Sequence, residues 1–221
     1  MLIQELINNG DTKGKLQFHF DPPDPEKERK YFEPEDWRDQ GISAHVKPHS
    51  NQDRHMVTRT EWAFGDPDDN VYYQMVKIIS KYRTNPYLPR VRVLKSETNP
   101  KGEYKFTYEI ERLRDPLKMR GQLDKTIIDR IGNRMFYHWE RLASDYDFLT
   151  PWEQLAAVLE YVVDNHMNLV LQDPLLIQAI EILKEVKERH GRANWDISSK
   201  NIMIRLTSTG PQPVFTDILH Y

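Results

Sequence analysis

Two kinds of hydrophobic periodicity divide the chain near Leu113, and they limit the fold more than any other property of the sequence. Before that point the apolar residues fall in short runs rich in β-branched and aromatic side chains: GISAHV, RHMVTRTEW, RVRVLK and YKFTYEIERL. Such runs predict strands, and the polar breaks KPHSNQD and NPKGE between them predict hairpin connections. Between the two pairs, VYYQMVKIISKY spaces Val71, Met75, Ile78, Ile79 and Tyr82 as one face of a helix, which Pro86 and Pro89 bring to an end. After Asp115 the pattern is helical, over LDKTIIDRIGNRMFYHWERLA, PWEQLAAVLEYVVDNH and DPLLIQAIEILKEVKERHG. In the last of these, Leu175, Leu176, Ala179, Ile182, Leu183 and Val186 share a face, Asp173 and Pro174 mark the start, and Gly191 marks the stop. Strands followed by helices predict an α+β fold, with a strand-rich part over 40–113, a helical part over 114–221 and an N-terminal extension over 1–39.

Composition narrows the chemistry. The sequence contains no cysteine, which excludes disulfides, thiolate metal sites and a cysteine nucleophile and fits a reducing compartment. The start MLIQELINNGDTKGK lacks the basic lead and apolar core of a signal peptide, and no window approaches the roughly 20 apolar residues that span a bilayer. A cytoplasmic protein with no membrane association is the expectation. A net charge of −3 provides no global attraction to nucleic acid. The stretch KYRTNPYLPRVRVLK interleaves Lys81, Arg83, Arg90, Arg92 and Lys95 with Tyr82 and Tyr87, but its strand period places Arg90 and Arg92 on a solvated face, so nucleic acid is not the expected partner. The histidines are scattered, and neither H-E-x-x-H nor a P-loop pattern is present. Residues 22–40, rich in proline and in charges of both signs, read as a solvated connection.

The end of the chain concentrates the chemistry. NIMIRL and PVFTDI read as strands, and TSTGPQP between them reads as a turn centred near Gly210. Hairpin pairing then carries Asn201 and Asp217 to the same open end, with Asp196 in the loop that feeds it. Oxygen donors without Cys or His suit a hard cation such as Mg²⁺, which takes one or two protein ligands and completes its shell with water and phosphate oxygens. Asn201 and Asp217 are the candidate metal ligands, and Asp196 is placed to accept a proton from an attacking hydroxyl.

Helix, Asp-x-x-x-x-Asn, strand, turn, strand, Asp is also the order of the catalytic and metal-binding segments of protein-kinase-like phosphotransferases, which this part of the chain resembles. WDISSKNIMI looks like the catalytic loop and VFTDIL like the D-F-G segment. The early protein kinases of short-tailed bacteriophages are similar here, with an Asp-x-x-Ser-x-Asn-Ile-Met stretch followed by Thr-Asp. The toxin kinases of bacterial persistence modules are similar too, through a pattern matched by Asn194, Asp196, Lys200 and Asn201. The resemblance implies a bilobal fold, with a small strand-rich N-lobe and a reduced helical C-lobe. It also implies ATP and Mg²⁺ as cofactors, a Ser/Thr kinase activity and a host bacterial protein as substrate or target. It places Gly41 and Ser43 in a reduced glycine-rich loop, Arg59 at the phosphate-binding position, and Glu111 and Leu113 where a hinge would meet adenine.

Several family features are altered. One glycine stands where the loop usually has three, Arg59 replaces lysine, and the helix from Val71 to Tyr82 lacks its usual glutamate, leaving Gln74 as the nearest residue to orient Arg59. Asn194 and Trp195 replace His-Arg before the catalytic Asp, and Leu219 follows the metal segment in place of glycine. Asp217 lies close to the last residue given, Tyr221, with no room between them for a peptide-binding segment. The alternative to an active kinase is a catalytically inactive kinase-like scaffold that binds and inhibits a host protein.

Overall fold

A computed structural model describes residues 44–48, 56–64, 67–98, 103–116, 119, 123–191 and 193–220. Gly41, Ser43 and the 22–40 segment lie outside the described residues. The molecule is a mixed helix-and-sheet structure, and no helix among the described residues is long and apolar enough to cross a membrane.

Four strands form the main sheet: β1 (Ala44–Pro48), β2 (Met56–Phe64), β3 (Val91–Thr98) and β4 (Glu103–Glu111). Their spatial order is β1-β2-β4-β3, and every pairing is antiparallel. The crossover between β2 and β3 contains helix α1 (Val71–Ile79). Asn70 starts α1 by accepting a hydrogen bond from the Tyr73 N–H at 2.7 Å, a cap that meets one of the donors a helix start leaves open. The helix buries Val71, Tyr72, Met75, Val76, Ile78 and Ile79, each aliphatic side chain contributing roughly 1.5–3 kcal/mol by leaving water. Tyr73 stacks on Phe106 of β4 at 4.4 Å between ring centroids, and Tyr72 meets Tyr108 edge-on at 5.3 Å. The helix ends at Ser80, shorter than the periodicity through Tyr82 implied.

The helical part contains α2 (Lys125–Met135), α3 (Trp139–Ser144), α4 (Pro151–Asp164) and α5 (Pro174–His190). The continuous pattern over 123–143 is in fact two helices. The chain breaks at Phe136, which pairs as an isolated bridge with Leu171, and at His138, whose φ is 57°. The break folds Trp139 back against Gly132, where an added Cβ would lie 2.1 Å from the indole ring. Thr150 opens α4 with its N–H donating to Glu153 at 3.0 Å, a capping box. Asp173 caps α5, and Gly191, at φ 57°, closes it in the left-handed conformation that glycine adopts without strain.

A hairpin of β6 (Ile202–Thr207) and β7 (Gly210–Phe215) follows, and short strands β5 (Asn194–Trp195) and β8 (Leu219–His220) pair beside it. The turn is Ser208–Thr209, tighter than the sequence suggested, and β7 runs through Pro211 and Pro213. Pro213 is tolerated because its partner Ile204 directs both its N–H and its C=O away, to Arg114. Trp152 of α4 donates to the Ile202 carbonyl at 3.1 Å, and the Phe215 N–H donates to the Tyr87 carbonyl at 2.8 Å. These bonds fix the hairpin between the helices and the segment that leads into β3.

Candidate functional site

The hairpin register places Asn201 opposite Thr216, whose N–H and hydroxyl both donate to the Asn201 carbonyl, at 2.9 and 3.0 Å. Asp217 is the next residue, so Asn201 and Asp217 meet at the open end as expected. Asp196 joins them because its N–H donates to the Ile218 carbonyl at 2.8 Å, which ties the loop after β5 to the turn before β8. The Asn201 amide donates to the Asp196 carbonyl at 3.0 Å. That bond uses the amide nitrogen and leaves Oδ1 as the atom Asn201 has to offer a cation. Asp196 is half-buried, and it is near enough to Asp217 for the two carboxylates to repel. Glu160 on α4 feels Asp196 as well, and its carboxyl is raised above the usual range by partial burial first, then by Asp164 and Asp196.

Arg59 reaches this group from the sheet. On β2 the side chains of Val57, Arg59 and Glu61 share the face that α1 covers, because alternate residues of a strand point the same way. Both terminal nitrogens of Arg59 donate to one oxygen, Oδ2 of Asp217, at 3.2 Å each, joining residues 158 apart in sequence. Its guanidinium also lies over the Tyr72 ring, 3.7 Å from the centroid, a cation–π contact in a nearly dry setting. Glu61 Oε2 stands 3.8 Å from the same guanidinium. Burial alone would lower the Arg59 pKa, but Tyr72, Asp217 and Glu61 together raise it, so the charge is retained. Burial raises the Asp217 carboxyl above its ordinary range, and Arg59 holds back part of that rise. Burial likewise pushes the Tyr72 phenol up to about 12.

The remaining expectations are distributed differently. Gln74 does not orient Arg59, because its amide donates to Asp68 at 2.5 Å on the exposed side of α1. Glu61 and Tyr72 occupy that role in space. The Glu111 carboxylate is committed to Arg205 and to the Arg90 N–H, and Leu113 is half-buried just beyond β4. In the basic stretch, Tyr87 is fully buried and out of reach of a base, Tyr82 is half-buried, Arg92 pairs with Glu109 across the strands and Lys95 pairs with Glu97.

Glu61 and Tyr72 were the residues that sequence reasoning passed over. The available signal was parity: in MVTRTEW, Glu61 and Arg59 alternate in step with apolar Val57, which marks them as facing inward.

The oxygen donors fit a divalent cation by their chemistry and by what already sits there. Asp217 is 37% exposed at its side chain and carries a positive group against one oxygen, with the Asn201 carboxamide beside it. Among the described residues no cluster of three or more His, Cys, Asp or Glu forms a self-sufficient metal cage. Comparison with protein-family models, with characterised proteins and with solved structures returns no match to this chain.

Proposed function

We propose that the chain is an ATP- and Mg²⁺-dependent phosphotransferase with a protein-kinase-like bilobal fold, acting on a Ser/Thr hydroxyl of a host bacterial protein. One observation carries the reading: Arg59 of the sheet, predicted to bind phosphate, is held against Asp217, predicted to bind metal, with Asn201 and Asp196 alongside. The strand order β1-β2-β4-β3 with α1 between β2 and β3 supports it, because it brings Arg59 to the mouth of the hairpin. On this reading residues 40–113 are the smaller lobe and 114–221 the larger.

Asn201 and Asp217 would hold Mg²⁺, which neutralises phosphate charge, while the nucleotide supplies the phosphoryl group. Arg59 binds phosphate oxygens with a planar fork in place of the point charge of a lysine. Asp196 accepts the proton of the acceptor hydroxyl as that oxygen bonds to the γ-phosphorus, and the bond from phosphorus to the departing ADP oxygen breaks. The Asn201 amide and the Ile218 carbonyl fix the backbone of Asp196 at the open end of the hairpin.

The test is transfer from γ-labelled ATP, with Mg²⁺, to the protein itself and to a bacterial lysate. Wild type should label a protein, Asp196→Ala should lose on the order of 10²–10⁴ in rate, and Asp217→Ala should be inactive while still folded. Wild type that neither transfers phosphate nor binds MgATP in a thermal-shift assay would overturn the phosphotransferase reading. A kinase-like scaffold that binds a host protein would then take its place.

A further inference from the structure

Glu61 is a buried carboxylate with little to hold it. The residue is 8% exposed, and its Oε2 has no hydrogen-bond partner. The other oxygen, Oε1, receives only a long 3.5 Å contact from the Asn70 amide. Burying an ionised carboxylate in that condition is costly unless a cation can reach it. One is within reach, because Arg59 NH2 stands 3.8 Å away on the same face of the same strand. Arg59 is itself incompletely bound: its Nε is buried without a partner, and its two terminal nitrogens crowd onto a single oxygen of Asp217 instead of forming two parallel bonds.

We infer that Glu61 is a positioning residue that serves as a second seat for the Arg59 guanidinium, so that Arg59 passes from Asp217 to Glu61 when Asp217 is neutralised. The inference rests on the reading that Asp217 takes up a divalent cation. A divalent cation on the Asp217 carboxylate would repel the guanidinium and compete with it for Oδ2, and Glu61 is the buried carboxylate that can receive Arg59 without returning it to water. The shift needed is small, from 3.8 Å to hydrogen-bond length. The Tyr72 ring lies beneath the guanidinium, 3.7 Å from centroid to Cζ. The raised carboxyl of Glu61, caused first by burial and partly offset by Arg59, agrees with an oxygen waiting for a closer cation. In a purely structural role, Glu61 would hold Asn70 at the start of α1 and would be indifferent to Asp217.

The experiment is a melting-temperature cycle on the full chain without nucleotide or metal, using Glu61→Gln, Asp217→Asn, the double variant, and the same set with Arg59→Met. Glu61→Gln and Asp217→Asn alone should each move the melting temperature by no more than about 2–4 °C, because each relieves the burial of one carboxylate while leaving Arg59 the other. With neither carboxylate left, the double variant should fall by more than the sum, and Arg59→Met should abolish the excess. If the double variant does not fold, adding Arg59→Met should restore folding, and failure to do so would overturn the inference. Additive single effects would overturn it too, even if Asp217-dependent phosphate transfer is found. An Arg59-dependent excess with no transfer from ATP would support the second seat and remove only the phosphotransferase reading. As a second readout, ¹⁵N NMR should show restricted Arg59 guanidinium rotation in Asp217→Asn and free rotation in the double variant. Free rotation in Asp217→Asn alone overturns the proposal.

Discussion

Two arginines tie the sheet to the C-terminal hairpin, and they are bound in opposite ways. Arg205 on β6 is saturated: Nε donates to Glu111 Oε2 at 2.9 Å, NH1 to the Pro86 carbonyl at 2.7 Å, and NH2 to the Leu88 carbonyl at 3.0 Å and to Glu111 Oε1. Glu111 Oε1 accepts in addition from the Arg90 N–H at 2.8 Å. Arg59 has one oxygen of Asp217, an aromatic face, an unpartnered Nε and a carboxylate left at 3.8 Å. A buried network with every group matched rigidifies what it joins, whereas one partly matched can rearrange at small cost. Arg205 locks the β6–β7 hairpin to the β4 end, whereas Arg59 keeps unmatched groups at the place where the proposed function has a ligand bind.

That contrast can be broken by mutation. Glu111→Ala should cost about 3–5 kcal/mol, because it strands a buried guanidinium, and urea denaturation would show it. A cost no larger than that of Glu61→Ala would erase the distinction. Replacing the pair by Arg205→Met and Glu111→Leu should recover part of this and still lose roughly 1–3 kcal/mol, since the Pro86 and Leu88 carbonyls keep no donor. Arg59→Met should abolish phosphate transfer and, because it leaves the Glu61 and Asp217 carboxylates without their cation, cost up to about 3–5 kcal/mol in the same assay, less where one of them takes up a proton.

The smallest effect is a pH slope. Glu61 and Asp217 have folded pKa values raised above the ordinary carboxylate value near 4. The folded state therefore binds more protons than the unfolded one, and these groups favour folding at low pH. That contribution is lost as pH climbs from about 4 through the raised folded values. Glu153, lowered by its hydrogen bonds to Thr150, acts in the opposite sense: its contribution is present above the ordinary value and is lost as pH falls through the lowered one. The melting temperature of Glu61→Gln relative to wild type should thus rise between pH 4 and pH 7, and a flat difference would contradict the raised carboxyl.

Much of this was readable one segment at a time. Asp173–Pro174 and Gly191 bracketed α5, and the Asn201 and Asp217 convergence followed from hairpin symmetry although the turn sits at Ser208–Thr209 and not at Gly210. The break between α2 and α3 was not readable, because apolar periodicity continues through Phe136. Only the Trp139 ring packing on Gly132 and the Phe136–Leu171 bridge show that the chain must turn there. The resemblance places Glu111 where a hinge would meet adenine; that its carboxylate pairs with Arg205, 94 residues away, was not legible in the sequence.

What the sequence determined by itself was whatever depends on neighbours within a few positions: strand and helix periods, caps, the hairpin, and the oxygen chemistry of Asp196, Asn201 and Asp217. Only the tertiary structure decided which charges face one another. Arg59 meets Asp217 across 158 residues because α1 closes over one face of β2 and the hairpin docks beneath it. Charge pairing is set by burial and distance, which local spacing does not encode, so the partner of a buried arginine emerges only when the sheet, helix and hairpin are packed together.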